Sequence, residues 1–227
     1  ILEYFNKDTE ETQFPEDYYI DPKAYSYYLK GKHILAEWTL AKGDDAINYF
    51  KRALSIVSDY ALAYAGLSLC YMHKTISGSD FVESMKMSNY YADKSIEADN
   101  TIPDGYIAKA ISVFWAGRWY VPDFEKNLTI ALTISPCNAE IRMFNGMLFL
   151  LKSDKKRAIS ELKLARQLDP QSYGVKLRLG IVQYLNKDYQ DAYNTFLTFP
   201  DDDHLITYKN IRLAWCAVML GKYKKAI

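Results

Sequence analysis

The chain has 227 residues, with 28 acidic and 28 basic side chains, and is 49% hydrophobic. This composition is typical of a globular protein with a sizeable core, and zero net charge argues against a general nucleic-acid or membrane-surface binder. The three cysteines have no close spacing, so they predict no disulfide framework or metal motif and favour a reducing, cytoplasmic location. No apolar run is long enough to cross a membrane.

Residues 1–23 differ from the rest of the chain. The stretch NKDTEETQFPEDYYIDP is acidic, contains two prolines and lacks a helical period. Such composition is typical of connecting segments, so we expect a linker or a lead-in from a preceding domain. The chain starts at Ile1 and stops at Ile227 within a helical pattern, which we interpret as a piece of a longer protein.

From residue 24 onward the sequence repeats. A first column of small residues recurs at intervals of 37, 42, 36, 34 and 34 residues: Gly31, Ser68, Ala110, Gly146, Gly180 and Ala214. A second column follows each of these: Ala46, Ser88, Phe124, Ala158, Ala192 and Ala226. A period of this length predicts a stack of similar supersecondary units.

Each unit predicts two helices. The first carries the small residue at its centre, where a neighbouring helix must approach closely. The second carries apolar residues at i, i+4 and i+7 and ends before a proline such as Pro136 or Pro170. Short segments such as AKGDD, LKSDKK, LNKDY and LGKY join the two. Because one hairpin cannot bury its apolar faces alone, successive hairpins must stack into an all-α solenoid.

The segments AYAGLSLCY, NYFKRALSI and DYQDAYNTF resemble the helices of the tetratricopeptide repeat (TPR) family. The resemblance covers residues 24–227 and implies a right-handed superhelix of about six hairpins, the last one incomplete. The sequence departs from the family pattern at Lys109 and Asn145, where Leu is usual, and at Phe124 and Phe199, where small residues are usual. The longest interval predicts an insertion at KTISGSDFVES, whose Gly and Ser indicate a loop.

No converging set of catalytic groups is evident. The histidines are far apart in the repeat pattern: His33, His73 and His204. Cys70 and Cys216 share one repeat position, which favours helix packing over a nucleophilic or ligand role, and Cys137 has no neighbour spaced to activate it. The run DDDH at 201–204 could form a metal site, although a carboxylate run after a proline is typical of a solvated turn. We expect no enzyme, no cofactor and no metal.

In TPR proteins the first helices line the concave face of the superhelix. The resemblance implies that residues three before and one after the small position face that side, and here they are mostly apolar. We therefore predict a partner-binding surface made of Ala65, Leu69, Ile107, Ile111, Met143, Met147, Leu177, Ile181, Ile211 and Trp215. These rows fit either a groove for an amphipathic or extended segment, with adaptable methionines, or a tight superhelix in which the same residues form core. The polar set with which family members bind a C-terminal carboxylate is missing, so we expect no such clamp.

The stretches DPKAYSYYLKGKHIL and FWAGRWYVPDFEKNLTIALTISP resemble, more loosely, the C-terminal repeat arrays of bacterial transcriptional regulators and nucleotide cyclases. This resemblance implies a non-catalytic protein-interaction module in the regulatory or sensory part of a longer bacterial signalling protein. A structural scaffold and a receptor for an apolar small molecule are the alternatives. The expected partner is a protein or peptide with apolar anchors, without nucleic-acid or membrane contact. An unfinished last hairpin would also favour homo-oligomers through the C-terminal end.

Overall fold

The computed structural model describes residues 20–36, 43–76, 80–115, 121–199 and 206–222. Within these ranges the regular structure is entirely helical. The helices are α1 (Pro22–Ala36), α2 (Gly43–Ile56), α3 (Ala61–Ile76), α4 (Phe81–Ala98), α5 (Pro103–Trp115), α6 (Val121–Ile134), α7 (Ala139–Leu151), α8 (Lys155–Leu168), α9 (Tyr173–Leu185), α10 (Tyr189–Leu197) and α11 (Ile206–Met219).

Consecutive helices pack as hairpins, α1 with α2 and so on to α9 with α10, and α11 packs on α10. The first helices also contact one another, α1 with α3, α3 with α5 and α7 with α9, whereas the described second helices make no comparable contact with each other. First helices that lie side by side while the second helices diverge form the inner side of a curved stack. The all-α solenoid predicted from the repeat is confirmed.

Local sequence signals set the helix starts. The Asp21 carboxylate accepts hydrogen bonds from two backbone N–H groups at the start of α1, at 2.8 and 3.1 Å, and Pro22 takes the first helical position. Asn138, Asp154 and Ser172 cap α7, α8 and α9 in the same way. These side chains satisfy N–H groups that no carbonyl within the helix can reach. Because proline suits the first turn, α1 begins at Pro22, inside the segment predicted as a lead-in.

Three helix ends share one geometry. Ser153, Lys187 and Gly221, which lie 34 residues apart, have φ angles of 62°, 69° and 69°. In each turn the N–H of the next residue donates to the carbonyl five residues earlier, at 2.8 to 2.9 Å. This is a Schellman helix ending, which requires a left-handed residue. Glycine adopts that conformation without strain, whereas serine and lysine incur a steric cost.

The small residues of the first column make room for large side chains from the second helix of the same hairpin. A Cβ atom added to Gly180 would lie 2.5 Å from Cε1 of Phe196, and one added to Gly146 would lie 2.7 Å from Cγ of Leu162. Both distances are far below ordinary carbon contacts. The column is therefore small because Phe196 and Leu162 occupy the space that a side chain would need.

An apolar core runs through the described part of the stack. Phe50 and Leu67 are buried between the first two hairpins, and Phe196 is buried under the last helices. Phe124, which departs from the small-residue pattern, is also buried, and its ring centroid lies 5.2 Å from that of Phe114. The larger ring is therefore accommodated within the core.

The predicted loop at KTISGSDFVES is wrong at both ends. Helix α3 continues to Ile76 and α4 begins at Phe81, so residues 77–79 alone lie outside the described part of this segment. The Asp80 carboxylate accepts a hydrogen bond from the backbone N–H of Glu83 and so caps α4. The extra residues lengthen the hairpin, since α3 and α4 have 16 and 18 residues whereas α7 and α8 have 13 and 14.

Candidate functional site

Two adjoining cavities open on the inner side of the stack. The larger, 360 Å³, is lined by side chains of α1, α3, α5, α7 and α9. The smaller, 200 Å³, lies between α1, α2, α3, α5 and the start of α7. Lys32, Leu35, Leu69 and Glu140 line both cavities, so the two adjoin, and we name them together the concave groove.

Four residues of the predicted binding surface are buried: Ala65, Ile107, Ile111 and Met143. Ile111 is 2% exposed and belongs to the central core, together with Ile107 and Met143. The same residues also line the concave groove. These four side chains therefore belong to the core and also line the cavities, and their role in partner binding stays a prediction.

Four further residues of the predicted surface are half-buried: Leu69, Met147, Leu177 and Ile181. Leu69 lies where the two cavities meet. Leu177 and Ile181 pack against the core cluster under α10 and α11. Their role in partner binding stays a prediction, as does that of Met147.

The last two residues of the predicted surface, Ile211 and Trp215, are exposed on α11, at 45% and 47%. The guanidinium of Arg212 lies 4.4 Å from the centre of the Trp215 ring, a cation–π distance. The Trp215 ring also lies 6.3 Å from that of Tyr184 on α9. Helix α11 therefore presents an apolar face, which lies outside the concave groove.

The concave groove also contains charged residues, of which Asp104, Glu140 and Arg178 were not predicted from the sequence. Lys32 of α1, Asp104 of α5, Glu140 of α7 and Arg178 of α9 each line one or both cavities, together with His73 of α3. The concave groove therefore has an apolar floor with two acidic and two basic side chains at its walls.

The two cations of the concave groove make contacts within the fold. Nη1 of Arg178 donates a hydrogen bond to the carbonyl of Gly174 at 3.2 Å, and its guanidinium lies 5.6 Å from the centre of the Phe144 ring. Nζ of Lys32 lies 5.9 Å from the centre of the Tyr28 ring. Both contacts orient a cation along an apolar wall of the groove.

The two carboxylates are in a less favourable environment. Glu140 is open to water through the groove, yet protein surrounds it closely, and this desolvation raises the pKa of its carboxyl. The negative charge of Asp104 raises that pKa further, while Arg178 and Lys32 act in the opposite direction. Desolvation also raises the pKa of Asp104, against the effects of Lys32 and a backbone hydrogen bond.

A signal for these carboxylates is present in the repeat. Asp104 and Glu140 occupy the same position, six residues before the small residue, in two successive hairpins. The equivalent residues elsewhere are uncharged: Tyr25, Leu62, Gly174 and Tyr208. The rows predicted to line the concave face lie three before and one after the small residue, so this row was not among them.

The cysteines have the placement that the repeat predicts. Cys70 and Cys216 are buried, and Cys137 is exposed.

Among the described residues no group of His, Cys, Asp and Glu side chains could hold a metal ion, and the DDDH run at 201–204 lies outside them. No helix in the described part of the chain is long and apolar enough to span a membrane.

Comparison with solved structures identifies the architecture. A thermophilic TPR protein of Thermus thermophilus matches 86% of this chain over 99% of its own, with a TM-score of 0.69 and 15% identity. The fold is TPR-like. PilF of Pseudomonas aeruginosa matches 90% of the chain over 87% of its own length, with a TM-score of 0.65 and 15% identity.

A third structure, the APC/C heterotetramer Cut9–Hcn1, matches 90% of this chain over 38% of its own, with a TM-score of 0.70 and 15% identity. No known family matches the sequence, and comparison with curated proteins gives no significant match. At this level of identity the TPR-like structures show the fold alone.

Proposed function

We propose that the chain is a non-catalytic protein-interaction module that binds a segment of a partner protein in the concave groove. The observation that supports this is the groove itself, two adjoining cavities between five first helices. Cavities of this size accept individual side chains of a bound segment rather than a folded domain. The proposal is therefore supported by a shape that a neighbouring polypeptide can fill.

The apolar lining supports apolar anchors on the partner. Leu35 and Leu69 are half-buried, so binding can remove more of their surface from water. Met72 and Met143 line the same space, and methionine adapts its shape to different apolar side chains. A partner segment that places apolar side chains here gains burial without a rearrangement of the fold.

Selection of peptides from a random phage-displayed library tests this proposal. The purified chain is expected to enrich peptides with apolar residues at fixed positions. Leu69→Glu places a charge where the two cavities meet and should weaken binding of the selected peptides by about tenfold or more. The matched control is Leu197→Glu on α10, at a side chain that is 48% exposed and outside the concave groove.

The proposal is wrong if the native chain enriches no peptide over the bare support. It is also wrong if Leu69→Glu and Leu197→Glu bind the selected peptides equally well while both keep their helical circular dichroism. Ile111 is unsuitable for this test because it is nearly fully buried, and a charge there would disrupt the core.

The sequence resemblance to bacterial regulator and cyclase arrays supports a finer proposal. In it, this module is the regulatory or sensory part of a cytoplasmic bacterial signalling protein. Sequencing the complete reading frame tests the idea. A DNA-binding or nucleotide-cyclase domain in the same frame would support it, and a reading frame without an effector domain would refute it.

Two other functions, a small-molecule receptor and a scaffold, are supported by different features of the structure. The 360 Å³ cavity is within the range of small-molecule sites, so a receptor for an apolar ligand is the second candidate. A ligand of this kind must raise the melting temperature in a screen of apolar metabolites.

The apolar face of α11 supports a scaffold or homo-oligomer, and sedimentation at several protein concentrations tests that role.

A further inference from the structure

The concave groove has a charge arrangement that narrows the choice of partner. Asp104 and Glu140 belong to the first turns of α5 and α7, one hairpin apart, and line the same cavity. Their charges influence each other, because Asp104 raises the pKa of Glu140. Two carboxylates therefore face one small space from neighbouring first helices.

Neither carboxylate has an ion-pair partner among the described side chains, where the closest cation–carboxylate pairs are formed by other residues. Lys32 lowers the pKa of both carboxyls, and Arg178 lowers that of Glu140. Arg178 donates a hydrogen bond to the carbonyl of Gly174, and Lys32 lies 5.9 Å from the centre of the Tyr28 ring. Arg178 is thus held by a hydrogen bond within the fold, whereas the exposed Lys32 lies near both carboxylates and forms an ion pair with neither. Both carboxylates line the open space.

The helix N-termini explain why the fold tolerates these carboxylates. Asp104 and Glu140 both lie in a first turn, where the helix dipole stabilises a negative charge. These interactions do not remove the repulsion between the two groups or the loss of water around them. A cation placed between Asp104 and Glu140 would offset both effects.

We propose that the concave groove binds an extended partner segment through a lysine or arginine side chain that enters between Asp104 and Glu140, with a neighbouring apolar residue against Leu69. This inference rests on the proposed function and specifies the partner chemistry. Such a site is opposite in charge to one that binds a C-terminal carboxylate, because Asp104 and Glu140 are hydrogen-bond acceptors that attract a cation.

The apolar floor determines how such a segment would lie. Ile107 lines the smaller cavity beside Asp104, and Met143 lines the larger one beside Glu140. The aliphatic stem of a lysine or arginine can pack along apolar surface while its charged end reaches the carboxylates. A free amine without an apolar stem would lose this packing and bind more weakly.

The experiment compares peptides selected by the native chain and by the isosteric double variant Asp104→Asn, Glu140→Gln. The native chain is expected to enrich peptides that carry Lys or Arg next to an apolar residue. The double variant should bind those peptides about tenfold more weakly and should lose the basic preference while it keeps the apolar one. A double variant with the same change of charge on exposed sites, Glu97→Gln and Asp191→Asn, is the control.

The outcomes separate this inference from the function on which it rests. Two results would overturn the cationic anchor and leave the proposed function standing. One is the selection of apolar peptides without a basic preference. The other is equal binding of basic peptides by the native chain and by the double variant at Asp104 and Glu140. Absence of any enriched peptide would overturn both. Circular dichroism of each variant verifies that the helices are intact.

Discussion

Gly180 provides a direct test of why the small-residue column exists. In Gly180→Ala the new Cβ atom would lie 2.5 Å from Cε1 and 2.6 Å from Cζ of Phe196. Carbon atoms in contact are normally about 3.5 to 4.0 Å apart, so the overlap is about 1 Å. The Phe196 ring is 1% exposed and packs edge-on against Phe199, at 5.4 Å between ring centroids. It therefore has little room to move away.

Two opposing effects set the magnitude of this change. Overpacking of a close-packed core costs about 1 to 3 kcal/mol, and the overlap at Gly180 places it toward the upper end. Replacement of glycine by alanine within a helix contributes about 1 kcal/mol of stability. Gly180→Ala should therefore lower the free energy of unfolding by about 1 to 2 kcal/mol, and the melting temperature by about 2 to 8 °C for a chain of this size.

Gly174, on the same helix α9, is the matched control. A Cβ atom at Gly174 would meet nothing closer than Nη1 of Arg178 at 3.4 Å, which is an ordinary contact. Gly174→Ala should leave stability unchanged or raise it slightly. Urea unfolding of both variants, followed by far-UV circular dichroism, measures the difference. The explanation fails if Gly180→Ala is as stable as Gly174→Ala.

A double variant identifies the contact responsible for the change. Phe196→Leu removes the ring atoms nearest to Gly180 and leaves a cavity that the new methyl group can partly fill. In the double variant Gly180→Ala, Phe196→Leu, the loss of stability should be smaller than the sum of the two single losses by about 1 kcal/mol. Strict additivity would show that the clash with Phe196 is not the cause.

Four further predictions concern single groups. Lys187→Gly removes the steric cost of a lysine in the left-handed conformation and should raise the free energy of unfolding by about 0.5 to 1 kcal/mol, as measured in urea. Thr195→Val removes the buried 2.8 Å hydrogen bond to Oε1 of Gln183 and should cost about 1 to 3 kcal/mol in the same assay. At neutral pH a thiol reagent should label Cys137 first, because burial raises the pKa of the other two thiols to about 12 and about 11. The pKa of Glu140 is higher in the folded chain than in the unfolded chain, so stability is lost as pH rises from the unfolded pKa through the folded pKa. Glu140→Gln does not titrate and should therefore be more stable than the native chain at about pH 7. At about pH 3, where Glu140 is protonated in both states, thermal unfolding should show equal stability.

Features that depend on neighbours in sequence were predictable. Prolines such as Pro136 and Pro170 follow the ends of α6 and α8 by two residues, as expected from a residue that cannot continue a helix. The buried positions of Cys70 and Cys216 also follow from the repeat. The loop predicted around Gly78 was wrong at its ends because helix capping at Asp80 and the longer first helix extend the hairpin instead.

The sequence by itself determined the repeat, the helix pairs and the small-residue column, because helix starts, helix ends and the packing of one hairpin depend on residues within one repeat. Only the tertiary structure decided which apolar residues form the floor of the concave groove and which charges line it. Lys32, Asp104, Glu140 and Arg178 come from four different hairpins. Their proximity depends on the curvature of the whole stack, which is the sum of small rotations between neighbouring repeats and leaves no mark at any single position.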